Sequence, residues 1–315
     1  MTNLIVKLQH FFIEVVFCFL PRAKKTALQR RFRGRLELRD VRRSDVILLS
    51  FAKSGRTWLR VMLSRFYQQR HGLAEGLLLE FDNLKRLDPA IPAIFFTHGN
   101  YIEDFTGPDH WQRHFHDKKV VWLLRDPRDV AVSQYFQWKH RMKSWKKPLN
   151  DYPPEGSDIG IFDFVMREES GLPKIIDFMN TWQAERARMP NLLAVRYEDL
   201  RSRTQETLAE ILAFVGTPGS AEEVKAAVDF AAYDNMKKLE AQKTFSASSG
   251  GRVVARDLKN PDSFKVRRAK VGGYRDYFDA AQVAAIEAMI AERLAPELGY
   301  GAPPDGADAV KTAEA

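Results

Sequence analysis

Four short apolar runs recur along the chain, and helical patterns of apolar spacing separate them. The runs are Val46–Phe51, Ala93–Thr97, Val120–Leu124 and Leu192–Val195. Each run is short and largely apolar, as a strand buried on both faces of a sheet is. Strands that alternate with helices pair in parallel, so the pattern predicts an α/β fold in which helices flank a central parallel sheet on both faces.

The helices between these runs carry recognisable ends. Asp126 is a plausible N-cap, and Pro127 then takes the first helical position, where the missing N–H of proline costs nothing. Ser220 and Glu223 have the spacing of a capping box. The predicted helices are Thr57–Tyr67, Pro127–Met142, Leu172–Arg188, Thr204–Val215 and Ala280–Leu294.

The first 43 residues differ from the rest of the chain. Residues 4–20 are mostly apolar, and Lys7, His10 and Glu14 fall on one helical stripe. We expect an amphipathic helix that lies in a membrane interface or packs on protein, rather than a membrane span. Residues 22–43 hold ten Arg or Lys and two acids, which suits an anionic cytoplasmic membrane face; a solvated basic linker is the alternative.

Composition excludes some classes of protein but indicates little about the function. The chain has 315 residues, 45% of them hydrophobic, one cysteine and a net charge of +8. A chain of this kind is neither globally disordered nor a disulfide scaffold. The predicted organisation is an N-terminal helix and basic linker over residues 1–43, one domain over 44–300 and a disordered tail over 301–315. A basic chain favours an anionic partner, and we expect a phosphorylated ligand and an anionic membrane surface rather than nucleic acid.

The segment VILLSFAKSGRTW, residues 46–58, is the most informative. A buried strand leads through Lys53, Ser54 and Gly55 into a helix, so backbone amides and the helix N-terminus point at one place. Thr57 adds a hydroxyl donor. The lysine precedes the glycine, whereas in a Walker A loop it follows the second glycine. The turn therefore predicts an anion site of another kind, and a basic turn without a ligand is the alternative.

KSGRTW resembles the KSGTTW motif of the sulfotransferases that use 3′-phosphoadenosine 5′-phosphosulfate (PAPS). This resemblance implies a P-loop-like three-layer fold. It also implies that the 5′-phosphosulfate binds to Lys53, Ser54, Gly55, Arg56 and Thr57. Arg56 stands where the family motif has a threonine.

Further segments resemble the family's other motifs in the same order. In LRDPRDVAVS, Arg125 and Ser133 match the pair that holds the 3′-phosphate in the family. In RRAKVGGYR, Arg267, Arg268 and Ala269 match the RKG segment, which also binds the 3′-phosphate in the family. Alanine replaces glycine at position 269, so a left-handed backbone there carries a cost.

Three aromatic side chains match those around the adenine in the family. Tyr197 lies in the segment RYEDL, and Tyr233 precedes Met236 as a phenylalanine precedes a methionine in the family. Trp58 would cover the other side of the purine. Aromatic faces suit a nucleobase, although each of these residues is equally compatible with core packing.

The resemblance also assigns the chemistry. His98 matches the catalytic histidine and would be the base that takes the acceptor's proton, while Lys53 would stabilise the leaving phosphate. The family often has a lysine two residues before this histidine, but the residue here is Phe96. Arg56 is the candidate to supply the missing positive charge.

Several alternatives stay open at this point. Val120–Asp126 could be the Mg²⁺-binding strand of a P-loop kinase, and the basic N-terminal region could belong to a non-enzymatic membrane adaptor. His110, His114 and His116 suggest zinc, but no cysteine lies near them, and we expect no metal. The acceptor would be a hydroxyl or amine compound, possibly a lipid or lipid-linked glycan if the enzyme is peripheral on the cytoplasmic membrane face. Lys143–Gly160 and Lys243–Val266 are predicted covers of the site, and the oligomeric state is open.

Overall fold

A computed structural model describes residues 2–245, 253–254 and 257–301, apart from the side chains of residues 2–5 and 7. Within that part of the chain one sheet of parallel strands lies at the centre, in the order β2-β1-β3-β4. The strands are β1 (Val46–Leu49), β2 (Ile94–Thr97), β3 (Lys119–Leu124) and β4 (Leu192–Arg196). The predicted parallel α/β sheet is confirmed, with strand ends within two residues of expectation.

The helices begin where the sequence predicts. The Asp126 side chain accepts a hydrogen bond from the Arg128 amide at the start of its helix, and Ser220 and Glu223 form the capping box. The described helices are α1 (Thr2–Val16), α2 (Arg22–Arg43), α3 (Arg56–Arg70), α4 (Ile102–Thr106), α5 (Pro127–His140), α6 (Ile161–Met166), α7 (Leu172–Glu185), α8 (Tyr197–Ser202), α9 (Thr204–Val215), α10 (Ala221–Phe230), α11 (Tyr233–Ala241) and α12 (Ala280–Arg293).

Two apolar layers cover the two faces of the sheet. In β1, Val46 and Leu48 pack with α3, α9 and α10 on one face. Ile47 and Leu49 point the other way and pack with α2, α5, α7 and α12. Because alternate residues of one strand are buried on opposite faces, every position of β1 has to be apolar.

Residues 22–43 are not a linker, and this corrects the sequence-based expectation. They form α2, which packs on the body through a stripe that includes Gly34, Leu38 and Val41. The approach at Gly34 is so close that a Cβ there would lie 1.9 Å from the Tyr101 carbonyl oxygen. Small and apolar residues spaced by three and four positions build a packing face. The ten cations between them make this pattern hard to recognise in the sequence.

The carboxyl ends of the strands bring the motif residues to one edge. Ser50, His98, Arg125 and Tyr197 each directly follow a strand. From β1 the chain moves outward to β2, and from β3 it moves outward in the opposite direction to β4, so the crevice between β1 and β3 is a topological switch point. Ligands bind at such crevices in open parallel sheets.

The two predicted covers differ in what can be described. Within 143–160, Tyr152 is buried, and the Trp138 indole donates to the Pro153 carbonyl at 2.9 Å. This segment therefore packs beside α5. Of Lys243–Val266, residues 246–252 and 255–256 lie outside the described part of the chain, as do residues 302–315 of the predicted tail.

Candidate active site

The turn after β1 holds an unusual backbone. Lys53 has φ of 74° and Gly55 has φ of 91°, both in the left-handed region that favours glycine. A Cβ on Gly55 would lie 2.5 Å from Cδ2 of Tyr197, so no other residue fits without displacing that ring. Gly55 is the N-cap of α3, and the turn therefore directs the positive end of a helix into the crevice.

Ser54 and Thr57 lie on either side of this helix start. Ser54 is buried, and Thr57 is half-buried in the first turn of α3. The first four amides of a helix have no partner within the helix. The hydroxyls and the amides together make the turn suitable for an anion.

Cations gather around Lys53. Burial, together with the charges of Arg141, Arg125 and Arg267, lowers the pKa of its amine from 10.5 to about 7, against the opposing charge of Glu240. The three guanidinium groups show that positive charge is in excess around this amine. A bound anion would relieve this repulsion, because opposite charge favours the protonated amine.

Arg125 connects the turn to the second phosphate segment. Its Nη1 donates to the Lys53 carbonyl at 3.2 Å, and its Nη2 donates to the Lys270 carbonyl at 3.2 Å. The guanidinium also lies 4.4 Å from the centre of the Tyr197 ring. Arg125 thus joins segments that are more than 140 residues apart in the sequence, as a shared phosphate site requires.

The segment from Arg267 to Arg275 has the strained residue that the sequence predicts. Ala269 has φ of 51°, in the position where the family motif has glycine. Asp129 fixes the following turn by accepting from the amides of Gly272 at 2.9 Å and Tyr274 at 3.0 Å. Tyr274, which replaces the family's tryptophan, is buried and donates to Glu287 at 2.8 Å.

The remaining predicted phosphate ligands are placed unequally. The Arg267 guanidinium stacks 3.9 Å from the centre of the Phe136 ring and contributes to the charge around Lys53. Arg268 is instead half-exposed and paired with Asp276 at 2.5 Å. Ser133 is half-buried on α5, two turns after Arg125. The structure therefore joins Lys53, Arg125 and Arg267 and leaves Arg268 at the periphery.

The three predicted adenine side chains lie close to the phosphate turn. Trp58 meets the Tyr197 ring edge-on at 6.1 Å between centroids, and its indole donates to the Ala231 carbonyl at 2.8 Å. Tyr233 donates its hydroxyl to the Arg267 carbonyl at 2.9 Å. Hydrogen bonds hold the polar ends of both Trp58 and Tyr233, so their ring faces are fixed beside the segments that carry the cations.

His98 is held at both ring nitrogens. Its Nδ1 lies 2.5 Å from the Ser50 carbonyl oxygen, which can only accept, so Nδ1 carries the proton. Nε2 is then the basic nitrogen and faces Nη2 of Arg56 at 2.6 Å. The residue after β2 and the residue that begins α3 are thereby in direct contact.

Glu37 of α2 is a residue that the sequence analysis missed. It accepts from the hydroxyl of Thr97 and, at 3.1 Å, from the amide of Tyr101, the residues on either side of the His98 turn. Burial raises the pKa of Glu37, against the opposing Thr97 and Tyr101 hydrogen bonds and the charge of Arg56. The sequence feature that could have identified Glu37 is that it is one of only two acids among the ten cations of residues 22–43.

Arg141 was missed as well. Its Nη1 pairs with the buried Glu240 at 3.0 Å, and its Nη2 donates to the Val254 carbonyl at 3.1 Å. Glu240 also accepts from the Lys265 and Val266 amides at 2.6 and 3.2 Å. This pair thus fixes the chain immediately before Arg267.

The histidine-rich stretch has a structural contact. His116 Nε2 lies 2.9 Å from a carboxylate oxygen of Glu185. Across residues 2–245, 253–254 and 257–301, no group of three or more potential metal-binding side chains comes together.

Comparison with known proteins identifies the family. The family model of the sulfotransferase domain matches residues 43–296. Human sulfotransferase 2A1 is 25% identical over 280 residues, which cover 84% of this chain and 88% of that protein. Cytosolic sulfotransferase 14 of Arabidopsis thaliana is 25% identical over 286 residues, covering 80% of this chain and 75% of that protein.

Solved structures show the same fold. Mouse sulfotransferase SULT7A1, solved in complex with PAP, superposes with a TM-score of 0.54 at 19% identity over 79% of this chain and 84% of that chain. Retinol dehydratase, solved with androsterone and the inactive cofactor PAP, gives 0.52 at 20% identity over 78% and 79%. The family match covers most of the chain and includes the whole crevice, so this chain belongs to the sulfotransferase family and is a PAPS-dependent sulfotransferase.

Proposed function

We propose that this enzyme transfers the sulfuryl group of PAPS to a hydroxyl or amine acceptor, with Lys53 and His98 as its catalytic residues. The observation that carries this proposal is the contact between the two motifs. His98 Nε2 faces Arg56 of the phosphate turn at 2.6 Å, while its Nδ1 is fixed on the Ser50 carbonyl. The candidate base is therefore at the anion site and in the tautomer that can accept a proton.

The residues present fit a nucleotide with phosphates at both ends of the ribose. The Gly55 cradle would take the 5′ end, with Ser54, Arg56 and Thr57 around it. Arg125, Ser133, Arg267, Arg268 and the left-handed Ala269 would take the 3′-phosphate. The concentration of cations around the buried Lys53 supports this assignment: after burial, the charges of Arg141, Arg125 and Arg267 also lower its pKa, and a site built for several negative charges leaves such repulsion in the free protein.

Bound PAPS supplies an activated sulfuryl group and a phosphate leaving group. Lys53, protonated once an anion neutralises its surroundings, would stabilise the charge that develops on the leaving phosphate. His98 would take the acceptor's proton on Nε2, and the imidazolium formed would be stabilised by the Ser50 carbonyl. Trp58, Tyr197 and Tyr233 would hold the adenine.

Arg56 would replace the lysine that the family often has two residues before the histidine. Phe96, which occupies that position, lies 3.6 Å below the Arg60 guanidinium and packs with the α3 layer. Position 96 therefore carries no charge of its own, and Arg60 covers its ring. Arg56 contacts His98 directly, and moving from His98 Nε2 to the sulfuryl oxygens would expose the base and stabilise the transferred group in one step.

Two measurements test this function. Isothermal titration with PAP should show tight binding that does not need Mg²⁺, whereas ATP with Mg²⁺, the ligand of a kinase, should bind far more weakly. Transfer of labelled sulfate from PAPS to fractions of a lipid and metabolite extract should then reveal the acceptor. A protein that binds neither nucleotide would contradict the proposal.

The acceptor proposal extends to membrane lipids. The described side chains of α1 turn their polar stripe inward, where Glu14 pairs with Lys25 at 2.7 Å and His10 stacks on Trp145. The outward face is apolar, and its members Leu8, Phe11, Phe12, Val15, Val16 and Phe19 are 45–74% exposed. No described helix is long and apolar enough to cross a membrane. An exposed apolar face beside the basic α2 suits an anionic membrane surface.

The membrane proposal has its own test. Vesicles of phosphatidylglycerol should carry the full-length protein upward in a flotation gradient, and the double variant Phe11→Ser/Phe19→Ser should remain at the bottom. A wild type that stays at the bottom would remove the cytoplasmic, peripheral localisation and the lipid or lipid-linked glycan acceptor with it, whereas equal flotation of both proteins would show that another surface than α1 binds the vesicles. The hydroxyl acceptor class would stand, because a Cavia porcellus relative is named as a 3-alpha-hydroxysteroid sulfotransferase.

A further inference from the structure

The helix pair α1–α2 lies next to the catalytic edge but almost entirely outside the family match, which starts at residue 43. Through Glu37, α2 holds both Thr97 and Tyr101. Through Gly34, it packs directly on the Tyr101 carbonyl. This pair is therefore an addition to the family core that forms part of the wall beside His98.

Arg33, on the same face of α2, is half-buried and forms no salt bridge with any acid that the structure describes. Its guanidinium lies 5.6 Å from the centre of the Tyr101 ring and 5.1 Å from that of Trp145. Its Nε and Nη2 are buried, and neither donates to any side chain or carbonyl that the structure describes. Burial lowers the pKa of Arg33, against the interactions with the Tyr101 hydroxyl and the charge of Glu37. Since buried guanidinium nitrogens without an acceptor are costly, the site suits a counter-ion.

The two unpartnered nitrogens are the pair that binds an oxyanion side-on. Elsewhere in this protein, Arg128 uses Nε and Nη2 to hold both carboxylate oxygens of Asp126, at 2.9 and 2.8 Å. The planar fork matches carboxylate and phosphate in the same way. Glu37, the nearest acid on α2, is already engaged by Thr97 and Tyr101.

A third unpartnered nitrogen lies beside Trp145. His10 of α1 stacks on this indole with 4.8 Å between ring centroids. Its Nδ1 is buried and has no partner within the described residues. Arg33 and His10 thus contribute three nitrogens without a partner around the Trp145 indole. Three nitrogens suit the several oxygens of a phosphate better than the two of a carboxylate.

We propose that Arg33, His10 and Trp145 form a subsite for a phosphate group carried by the sulfuryl acceptor. This inference rests on the proposed function and specifies the substrate class, a phosphate ester with a free hydroxyl or amine. The geometry places the subsite beside the base: Glu37 follows Arg33 by one helical turn, about 6 Å along the axis, and holds the residues that flank His98. The phosphate belongs to either a lipid headgroup or a soluble ester.

The test is direct binding with the nucleotide site filled. Wild-type protein saturated with PAP is titrated with glycerol 3-phosphate in a calorimeter, so that the nucleotide's phosphate sites cannot contribute. We expect saturable binding that Arg33→Gln weakens about tenfold or more. Arg31→Gln removes the same charge from an exposed position of α2 and should leave this binding unchanged.

A second arm distinguishes the source of the phosphate. Full-length wild type and Arg33→Gln, both with PAP, are compared on vesicles of phosphatidylglycerol and of phosphatidylcholine. A weaker response of the variant to phosphatidylglycerol assigns the subsite to a lipid headgroup. A loss confined to glycerol 3-phosphate assigns it to a soluble ester.

Two results would overturn the proposal: wild type that binds neither probe saturably, or Arg33→Gln that binds both as wild type does. If Arg33→Gln is unfolded, Arg33→Lys keeps the charge without the fork and should still lose several-fold in phosphate affinity. PAP affinity measured alongside separates the two levels of inference, because a protein that does not bind PAP contradicts the proposed function whatever the subsite does.

Discussion

The nucleotide side of the crevice is formed by the turn after β1, Arg125 and residues 267–275. Arg125 donates there to two backbone carbonyls and lies 3.4 Å from the Asp129 carboxylate. On the acceptor side, formed by residues 97–101, α2 and Trp145, the central group is instead the carboxyl of Glu37, and its partners are a hydroxyl and an amide. Carbonyls fix an arginine without cancelling its charge, and Lys53 and Arg267 add further cations beside the Arg125–Asp129 pair. The nucleotide side therefore keeps positive charge for a ligand, whereas the acceptor side is built around a buried acid.

The two sides also differ in where their residues lie in the chain. The nucleotide side lies within residues 43–296, which the family model matches, whereas the acceptor side draws Arg33 and Glu37 from before it. Because every member of the family uses the same nucleotide, the nucleotide side can stay constant. The acceptor differs between members, so the acceptor side can draw on residues outside the family match. If this division holds, substitutions on one side should spare the function of the other.

The largest effect is expected from His98→Ala. Loss of the base should lower kcat by about 10²–10⁴-fold, while PAP affinity stays within twofold of wild type because His98 belongs to the acceptor side. Steady-state kinetics and calorimetry check the two halves. His116→Ala, which removes a histidine paired with Glu185 far from this edge, is the matched control. A fully active His98→Ala would show that the base is wrongly named.

Arg125→Ala tests the nucleotide side with a smaller effect. Its removal should weaken PAP by about 10–100-fold and leave 5′-AMP nearly unaffected, because a lost ionic hydrogen bond to the 3′-phosphate costs about 1.5–3 kcal/mol. Ser133→Ala should show the same selectivity with a smaller loss. Arg188→Ala is the control, because this exposed arginine pairs with Glu185 at 3.0 Å and is not among the proposed nucleotide ligands. Equal losses for both nucleotides would instead mean that Arg125 only supports the Lys53 turn.

The nucleotide side could be predicted from the sequence because its residues are local to motifs. Gly55 and Ala269 both have the left-handed backbone that the motif glycines imply. Even the cost of alanine at position 269 follows from the sequence alone. Strand ends then place these motifs at one edge, since the carboxyl ends of parallel strands meet there.

The acceptor side could not be predicted, for a physical reason. Glu37 acquires its role from Thr97, 60 residues away, and nothing local to either residue indicates the other. The packing stripe of α2 is hidden among ten cations, so residues 22–43 resembled a linker. Arg141 and Glu240 are likewise 99 residues apart, and their pairing exists only once α5 and α11 are assembled.

Proton linkage provides a sharper test of the nucleotide side. With a pKa of about 7 in the free enzyme, Lys53 is already charged below pH 7, so PAP affinity should be flat there. Above pH 7 the amine must gain a proton when the anion binds, and affinity should fall by up to about tenfold per pH unit. Calorimetry in buffers of different ionisation enthalpy should show the proton uptake. Lys53→Arg, which stays charged, should bind PAP with no slope between pH 7 and 8; a slope equal to that of wild type would assign the linkage to another group.

The smallest effect is expected from Glu37→Gln on the acceptor side. The amide keeps one carbonyl to accept from the Tyr101 N–H but leaves the Thr97 hydroxyl without its acceptor, so kcat should fall only a few-fold while PAP affinity is unchanged. Glu37→Ala deprives both donors, and since an unsatisfied buried group costs about 1–3 kcal/mol, its loss should be roughly tenfold greater. The matched control is Asp40→Asn, which alters the other buried acid of α2, three residues after Glu37. Asp40 pairs with Arg39, so its substitution should leave kcat intact. Should Glu37→Gln weaken PAP as much as it slows turnover, α2 would belong to both sides, and the division between them would fail at a helix that lies outside the family match.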